Sequence, residues 1–408
     1  MNHDCESAIM SRAPLARWLD DQPVTKGESA ELKIGILIAS GFGISALYLS
    51  FGSQDRGVPL WQRLQYQKDG VVLMRGLLKD DLSNLSLSEF TTAVEESMQR
   101  FIRFSLKDMG CDNAPNADED STYSLNHLVA CRERLVARDG DAAYINPVQY
   151  IHVHRHSERI RAIAESATLG KAAHELLGVR SVRLYQTAAF IKAPAAVAAR
   201  STPVDRLAST SSATAWHADL NQVPLDTNNF GTFWCPLTRV TRSHSTLTFA
   251  RGSHRDVAVR HWFRESSGLL RNESAIGDDA RNATAFIASR NGPLVDFGLL
   301  EAGDCTFHSG WLLHAAPPNL SGEMRRALTF TYVDADATLL GHNTRGLAME
   351  DKISWAGWVD AVYENGSTID HPDLPLTYSG SADAPSDADA GNTEFVAVEP
   401  FDHPGTLP

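Results

Sequence analysis

One constellation constrains this chain more than any other: Trp216-His217-Ala218-Asp219, answered much later by His314 at the end of Phe307-His308-Ser309-Gly310-Trp311-Leu312-Leu313-His314. Residues two apart on an extended strand point to the same side, so His217 and Asp219 can share one target. A second imidazole arriving from a distant strand completes one face of an octahedron and leaves three neighbouring positions open. Two strands far apart in sequence then have to meet. A two-His, one-carboxylate set of this kind suits non-haem Fe(II), which can hold a bidentate co-substrate and dioxygen together. Arg325 follows shortly after, in Asn319-Leu320-Ser321-Gly322-Glu323-Met324-Arg325-Arg326. Its guanidinium presents a fixed fork of donors, matched to the far carboxylate of a 2-oxo diacid.

Each piece alone is weak, because a chain with 15 His and 50 Asp plus Glu contains His-x-Asp readily by chance. The order of the pieces supplies the specificity: the strand-like Trp234-Cys235-Pro236-Leu237, the Gly252-Ser253-His254 turn and the His…Arg pair follow the His-x-Asp in turn. Rival histidines read as structural. His152, His154 and His156 alternate along one side if extended, but no partner ligand is visible elsewhere, so a polar connecting segment is expected there. Along a continuous strand His308 would stand ~20 Å from His314, too far to share an ion; a turn or bulge would shorten that distance, so His308 stays a candidate to orient a ligand. His254 is expected to tie loop backbone together beside its Gly, and His244 receives the same structural reading.

With those residues in place, the chain resembles the phytanoyl-CoA dioxygenase family of Fe(II)/2-oxoglutarate oxygenases. The resemblance begins at Asp69-Gly70-Val71-Val72-Leu73-Met74-Arg75-Gly76, passes through Leu176-Leu177-Gly178 and the strand Arg183 to Pro194, and runs to about Ala335. It implies His217, Asp219 and His314 as iron ligands, Arg325 as the 2-oxoglutarate carboxylate clamp, and Gln186 and Trp234 beside the co-substrate. It also implies an oxygenase that uses Fe(II), 2-oxoglutarate and O2 on a small-molecule or lipid-like substrate, releasing succinate and CO2. Asp219 favours hydroxylation, since Ala or Gly at that place would open a position for halide. The alternative is a silent barrel that binds a ligand or partner. The sequence departs from the family pattern at His244-Ser245, where Asn-Gly is usual, at Arg251, where Pro is usual, and at Ala316, where relatives carry a hydroxyl.

The fold expected is mainly β with flanking helices (α+β), a double-stranded β-helix or jelly-roll of cupin type, since short strands crowd Val182 to Val333 and helices precede them. Ser157 is expected to cap one helix and Gly178 to close another. On the strand from Arg325, alternation places Arg325, Ala327, Thr329 and Thr331 on a cavity face and Arg326, Leu328, Phe330 and Tyr332 on a packing face. The catalytic domain is expected over 60–378.

A net charge of −13 without any basic stripe argues against nucleic-acid partners, whose binding rests on clustered Lys and Arg. The five cysteines are scattered and odd in number, so a disulfide framework is not expected. Residues 1–33 read as a flexible leader. From Ile34 to Gln54 no charge interrupts an apolar run, and a helix over 34–51 would just span a bilayer. The residues leave open a membrane anchor, a buried core helix and a cleaved targeting segment, and with them a membrane-anchored or a cytoplasmic protein. Residues 379–408 read as an acidic tail that cannot bury enough surface to fold.

Overall fold

The computed structural model describes residues 32–36, 47–51, 57–108, 110, 111, 123–139, 150–198, 213–259, 278–340, 352–355, 357–364 and 368–380. The chain divides into two compact units, Met1–Arg56 and Gly57–Pro408. In the first, β1 (Leu32–Ile36) and β2 (Leu47–Phe51) pair antiparallel, Leu32 opposite Phe51 and Ile36 opposite Leu47. This corrects the expectation of one apolar helix over 34–51. Its described parts are extended, and a segment so rich in Ile, Gly and Ser has weak helix propensity. Among the described residues no helix is long and apolar enough to cross a membrane. Leu32 and Lys33 lie in β1 rather than in a leader, and the leader's other residues lie outside the described residues, as does the tail beyond Gly380.

The second unit is mixed α/β with mainly antiparallel sheets. Its strands are β3 (Val71–Met74), β4 (Tyr150–Ile151), β5 (Ser181–Lys192), β6 (Thr214–His217), β7 (Leu225–Asp226), β8 (Phe230–Pro236), β9 (Thr248–Phe249), β10 (Cys305–Ser309), β11 (His314–Ala316), β12 (Arg325–Asp334), β13 (Thr338–Leu339) and β14 (Leu376–Ser379). The larger sheet runs β14-β5-β12-β8-β10-β3, with β4 also on β5; a smaller one runs β6-β11-β9. The long β12 lies between β5 and β8, and its two faces divide as the alternation predicts. Leu328, Phe330 and Tyr332 enter a core with Phe233 and Phe307, against Phe90, Ile102, Ile160 and Leu169 of the helices. A bulge between Thr331 and Tyr332 ends the strict register with β5.

Local chemistry sets the frame. Ser157 caps helix Glu158–Ala164 by accepting from Ile160 N at 3.1 Å, and Gly178 closes Ala167–Leu177 in the left-handed region. Tyr332 OH donates to Ala164 O at 2.5 Å and so ties that helix to β12. Gly70 turns helix Leu60–Asp69 into β3 at φ +76, where an added Cβ would lie 2.5 Å from His254 Nδ1. Only glycine fits that corner.

The cysteines are the second correction. Cys111 pairs with Cys131 and Cys235 with Cys305. Cys235 and Cys305 are direct neighbours on β8 and β10, whose register sets Thr306 opposite Trp234, with Cα atoms 4.4 Å apart. Both are fully buried against the helices. Sequence spacing carries no trace of a cross-strand adjacency that arises only when the sheet assembles.

Candidate functional site

The two sheets meet at one cluster. β11 pairs with β6 so that His314 lies directly opposite His217, ring centroids 4.2 Å apart. Each imidazole bonds through Nδ1 to a carbonyl two residues earlier in its own chain, His217 to Ala215 O at 2.9 Å and His314 to Leu312 O at 3.1 Å. That fixes Nδ1 as the protonated nitrogen and leaves Nε2 with its lone pair directed away, the tautomer a metal ligand needs. Ala218 is extended, and Asp219 opens a single 3-10 turn, Asp219–Gln222, so the carboxylate swings back beneath the rings. Asp219 Oδ1 lies 3.7 Å from His217 Nε2 and 3.5 Å from His314 Nε2. Ligand atoms of the three residues fall within 4.8 Å of one another, and among the described residues this is the one such set that could hold a metal ion.

The other carboxylate oxygen is held by the larger sheet. Thr232 Oγ1 donates to Asp219 Oδ2 at 3.0 Å, and His308 Nε2 lies 3.4 Å from the same oxygen. Burial works against ionising Asp219, but His314, His308 and His217 together outweigh it and hold the carboxyl well below its ordinary range. Burial, aided by His217, lowers His314 to about 3. An anionic carboxylate beside a neutral imidazole is the protonation state that favours binding a divalent cation.

His308 belongs to this cluster, which strand geometry alone denied it. The turn Ser309 to Leu313, closed by Leu312 N donating to Ser309 O at 2.9 Å, carries the chain from the larger sheet to the smaller and folds His308 back onto His314 with ring centroids 4.6 Å apart.

Arg325 stands at the start of β12 on the face that includes Thr329 and Thr331. Only 2% of it is exposed; its guanidinium lies 5.5 Å from the Trp234 ring centroid, and burial lowers it to about 10, so it stays charged at neutral pH. Antiparallel register places Thr306 opposite Trp234, His308 opposite Thr232, and Gln186 opposite Thr331 on this same face. Arg325 Nε, Gln186 Oε1, Thr306 Oγ1 and His308 Nδ1 are all buried without a hydrogen-bond partner among the described residues. Unpaired buried polar atoms are costly in a finished core. Gathered on one face near a candidate ion site, they fit a polar ligand with both kinds of group: Arg325 Nε can donate to an anionic oxygen, Gln186 Oε1 can only accept, and Thr306 Oγ1 can do either.

The remaining histidines are structural in part. His254 Nε2 contacts Gln67 O at 3.1 Å and Ser253 Oγ accepts from Leu313 N at 2.9 Å, so that turn braces the start of β11. His244 accepts from Thr241 N through Nδ1 at 3.2 Å in a capping box. The His152 to His156 segment is not the polar connector expected. It enters a 3-10 helix through His152 at φ +55, and His152 and His154 are buried, His154 Nδ1 lying 2.8 Å from Thr187 Oγ1.

The chain belongs to the phytanoyl-CoA dioxygenase family, whose pattern matches residues 66–327. No curated relative matches the chain. Similar solved structures include the non-heme alpha ketoglutarate dependent epimerase SnoN from nogalamycin biosynthesis, 19% identical over 80% of this chain and 98% of that one, TM-score 0.47. The carbocyclase SnoK from the same biosynthesis is 19% identical over 78% of this chain and 96% of that one, TM-score 0.42. EctD from S. alaskensis in its apoform is 16% identical over 76% of this chain and 86% of that one, TM-score 0.40. At those scores the assignment rests on the family match, not on the neighbours.

Proposed function

We propose that the protein is an Fe(II)/2-oxoglutarate-dependent oxygenase of double-stranded β-helix type that hydroxylates a small-molecule or lipid-like substrate. The observation that carries this reading is the convergence of His217 Nε2, His314 Nε2 and Asp219 Oδ1 beside a buried face that holds Arg325. His217, Asp219 and His314 would hold the iron, which when bound supplies activation of dioxygen coupled to decarboxylation of the 2-oxo acid.

The chain's own residues then orient and exclude. Arg325 offers a guanidinium fork to the far carboxylate and so sets how deep the co-substrate lies. Trp234, stacked against that guanidinium, keeps it from swinging away. Thr232 and His308 hold Asp219 Oδ2, which presents Oδ1 to the ion side. Gln186 and Thr306, whose side-chain oxygens are buried without a partner among the described residues, would offer them to the co-substrate or the substrate. Nothing in this set acts as a nucleophile.

Succinate release by purified protein should require both Fe(II) and 2-oxoglutarate, and should vanish in His217→Ala, Asp219→Ala and His314→Ala proteins that still melt cooperatively. Near-normal succinate release from any of the three would remove that residue from the ligand set. A protein that folds and binds iron but never releases succinate with any candidate substrate would favour the silent, ligand-binding barrel instead.

A further inference from the structure

Lys192, the last residue of β5, lies directly across from Arg325 in the β5–β12 register. It is 2% exposed, as buried as Arg325 itself. Its Nζ donates to Pro317 O at 3.3 Å, just beyond β11, so the side chain crosses from the larger sheet toward the strand that carries His314. Among the described residues no carboxylate comes within ion-pair distance of either cation. The surrounding groups offer no compensation. Ser245 Oγ also donates to Pro317 O, Asn319 Nδ2 donates to Lys192 O, and the neighbouring Glu323 faces His244 at 3.7 Å instead.

Two adjacent buried cations without an anion are unfavourable, since each loses its hydration and repels the other. A tether for Pro317 needs only a neutral donor, so that role alone does not account for an ammonium here. An arriving anion would satisfy both cations at once.

We propose that Lys192 is a second cationic contact for the far carboxylate of the 2-oxo diacid, taking it together with Arg325. The assignment rests on the co-substrate reading given above. It makes the pocket selective for a diacid over a 2-oxo monoacid. It also couples binding to a proton. Burial, and then the charge of Arg325, lowers Lys192 to about 7. Near neutral pH the ammonium is therefore partly deprotonated in the free protein, and a bound carboxylate draws the missing proton in.

The test is calorimetry on the full chain loaded with redox-inert Mn(II), at pH 7, in two buffers of different ionisation enthalpy. 2-Oxoglutarate is titrated beside 2-oxopentanoate, which lacks the far carboxylate. Wild type should prefer the diacid and take up a fraction of a proton on binding it. Lys192→Met should bind the diacid about tenfold or more weakly, without proton uptake, and bind the monoacid as before. Lys192→Arg should keep the preference and lose the proton uptake. Equal weakening toward both acids would mean that Lys192 only braces Pro317, and unchanged diacid affinity and proton count would also overturn the proposal. Should wild type bind neither acid, the co-substrate reading itself falls, and this assignment with it.

Discussion

Thr232 Oγ1 donates to Asp219 Oδ2 at 3.0 Å, and this bond leaves Oδ1 as the oxygen that faces His217 and His314. Thr331 Oγ1 stands 3.2 Å behind it on the next strand, so the hydroxyl is itself held in place.

Thr232→Val should keep the volume and lose that donor. A partner that orients a metal ligand is typically worth about 10- to 100-fold in metal affinity. Metal titration of the variant should show weakening of that order with an unchanged melting profile. Wild-type affinity would mean that His308 alone suffices to orient Asp219.

Arg325→Ala should raise the concentration of 2-oxoglutarate needed for half-maximal succinate release far more than it lowers the maximal rate. Removing a bidentate, charge-assisted pair of hydrogen bonds from a dry pocket costs about 2–5 kcal/mol. A variant with the wild-type requirement would place the far carboxylate elsewhere.

Stability should fall on acidification below about pH 6.5. Burial lowers His154 to about 3, and burial with the charges of Arg155 and Arg100 holds His152 well below its ordinary value. Between about 6.5 and 3 the unfolded chain therefore carries protons that the folded chain refuses, so folding weakens as pH drops, by up to about 1.4 kcal/mol per pH unit for each group. Urea unfolding at pH 7 and pH 5 measures this, and His154→Gln should narrow the difference. Equal midpoints at the two pH values would contradict it.

The pairing of Cys111 with Cys131 and of Cys235 with Cys305 leaves Cys5 as the remaining cysteine of the sequence. Denatured without reductant, the protein should give one titratable thiol per chain, and after reduction five. More than one before reduction would show that a pair is open.

The sequence reveals those parts of the site whose residue types carry local geometry. His-x-Asp on a strand, a distal His and an Arg on an alternating strand need only the period of an extended chain; His217, Asp219 and His314 converge, and Arg325 lies on the same face of β12 as Thr329 and Thr331. Thr232 and Lys192 are not legible, because a lone Thr or Lys on a strand has no distinguishing neighbours until the sheet forms and sets Thr232 across from His308, within reach of Asp219, and Lys192 across from Arg325. His308 is legible only as a candidate to orient a ligand, because strand rise does not hold across the turn that brings it beside Asp219. The run over 34–51 looks helical by length alone, while its composition suits the strands of β1 and β2.

Each candidate imidazole ligand takes its orienting bond from a carbonyl two residues before it, Ala215 for His217 and Leu312 for His314. The tautomer of each ring is thus a property of a three-residue piece of strand. It borrows nothing from the chain between β5 and β6 or between β9 and β10. Substitutions between β5 and β6 should therefore leave Nε2 of both rings available, whatever else they change.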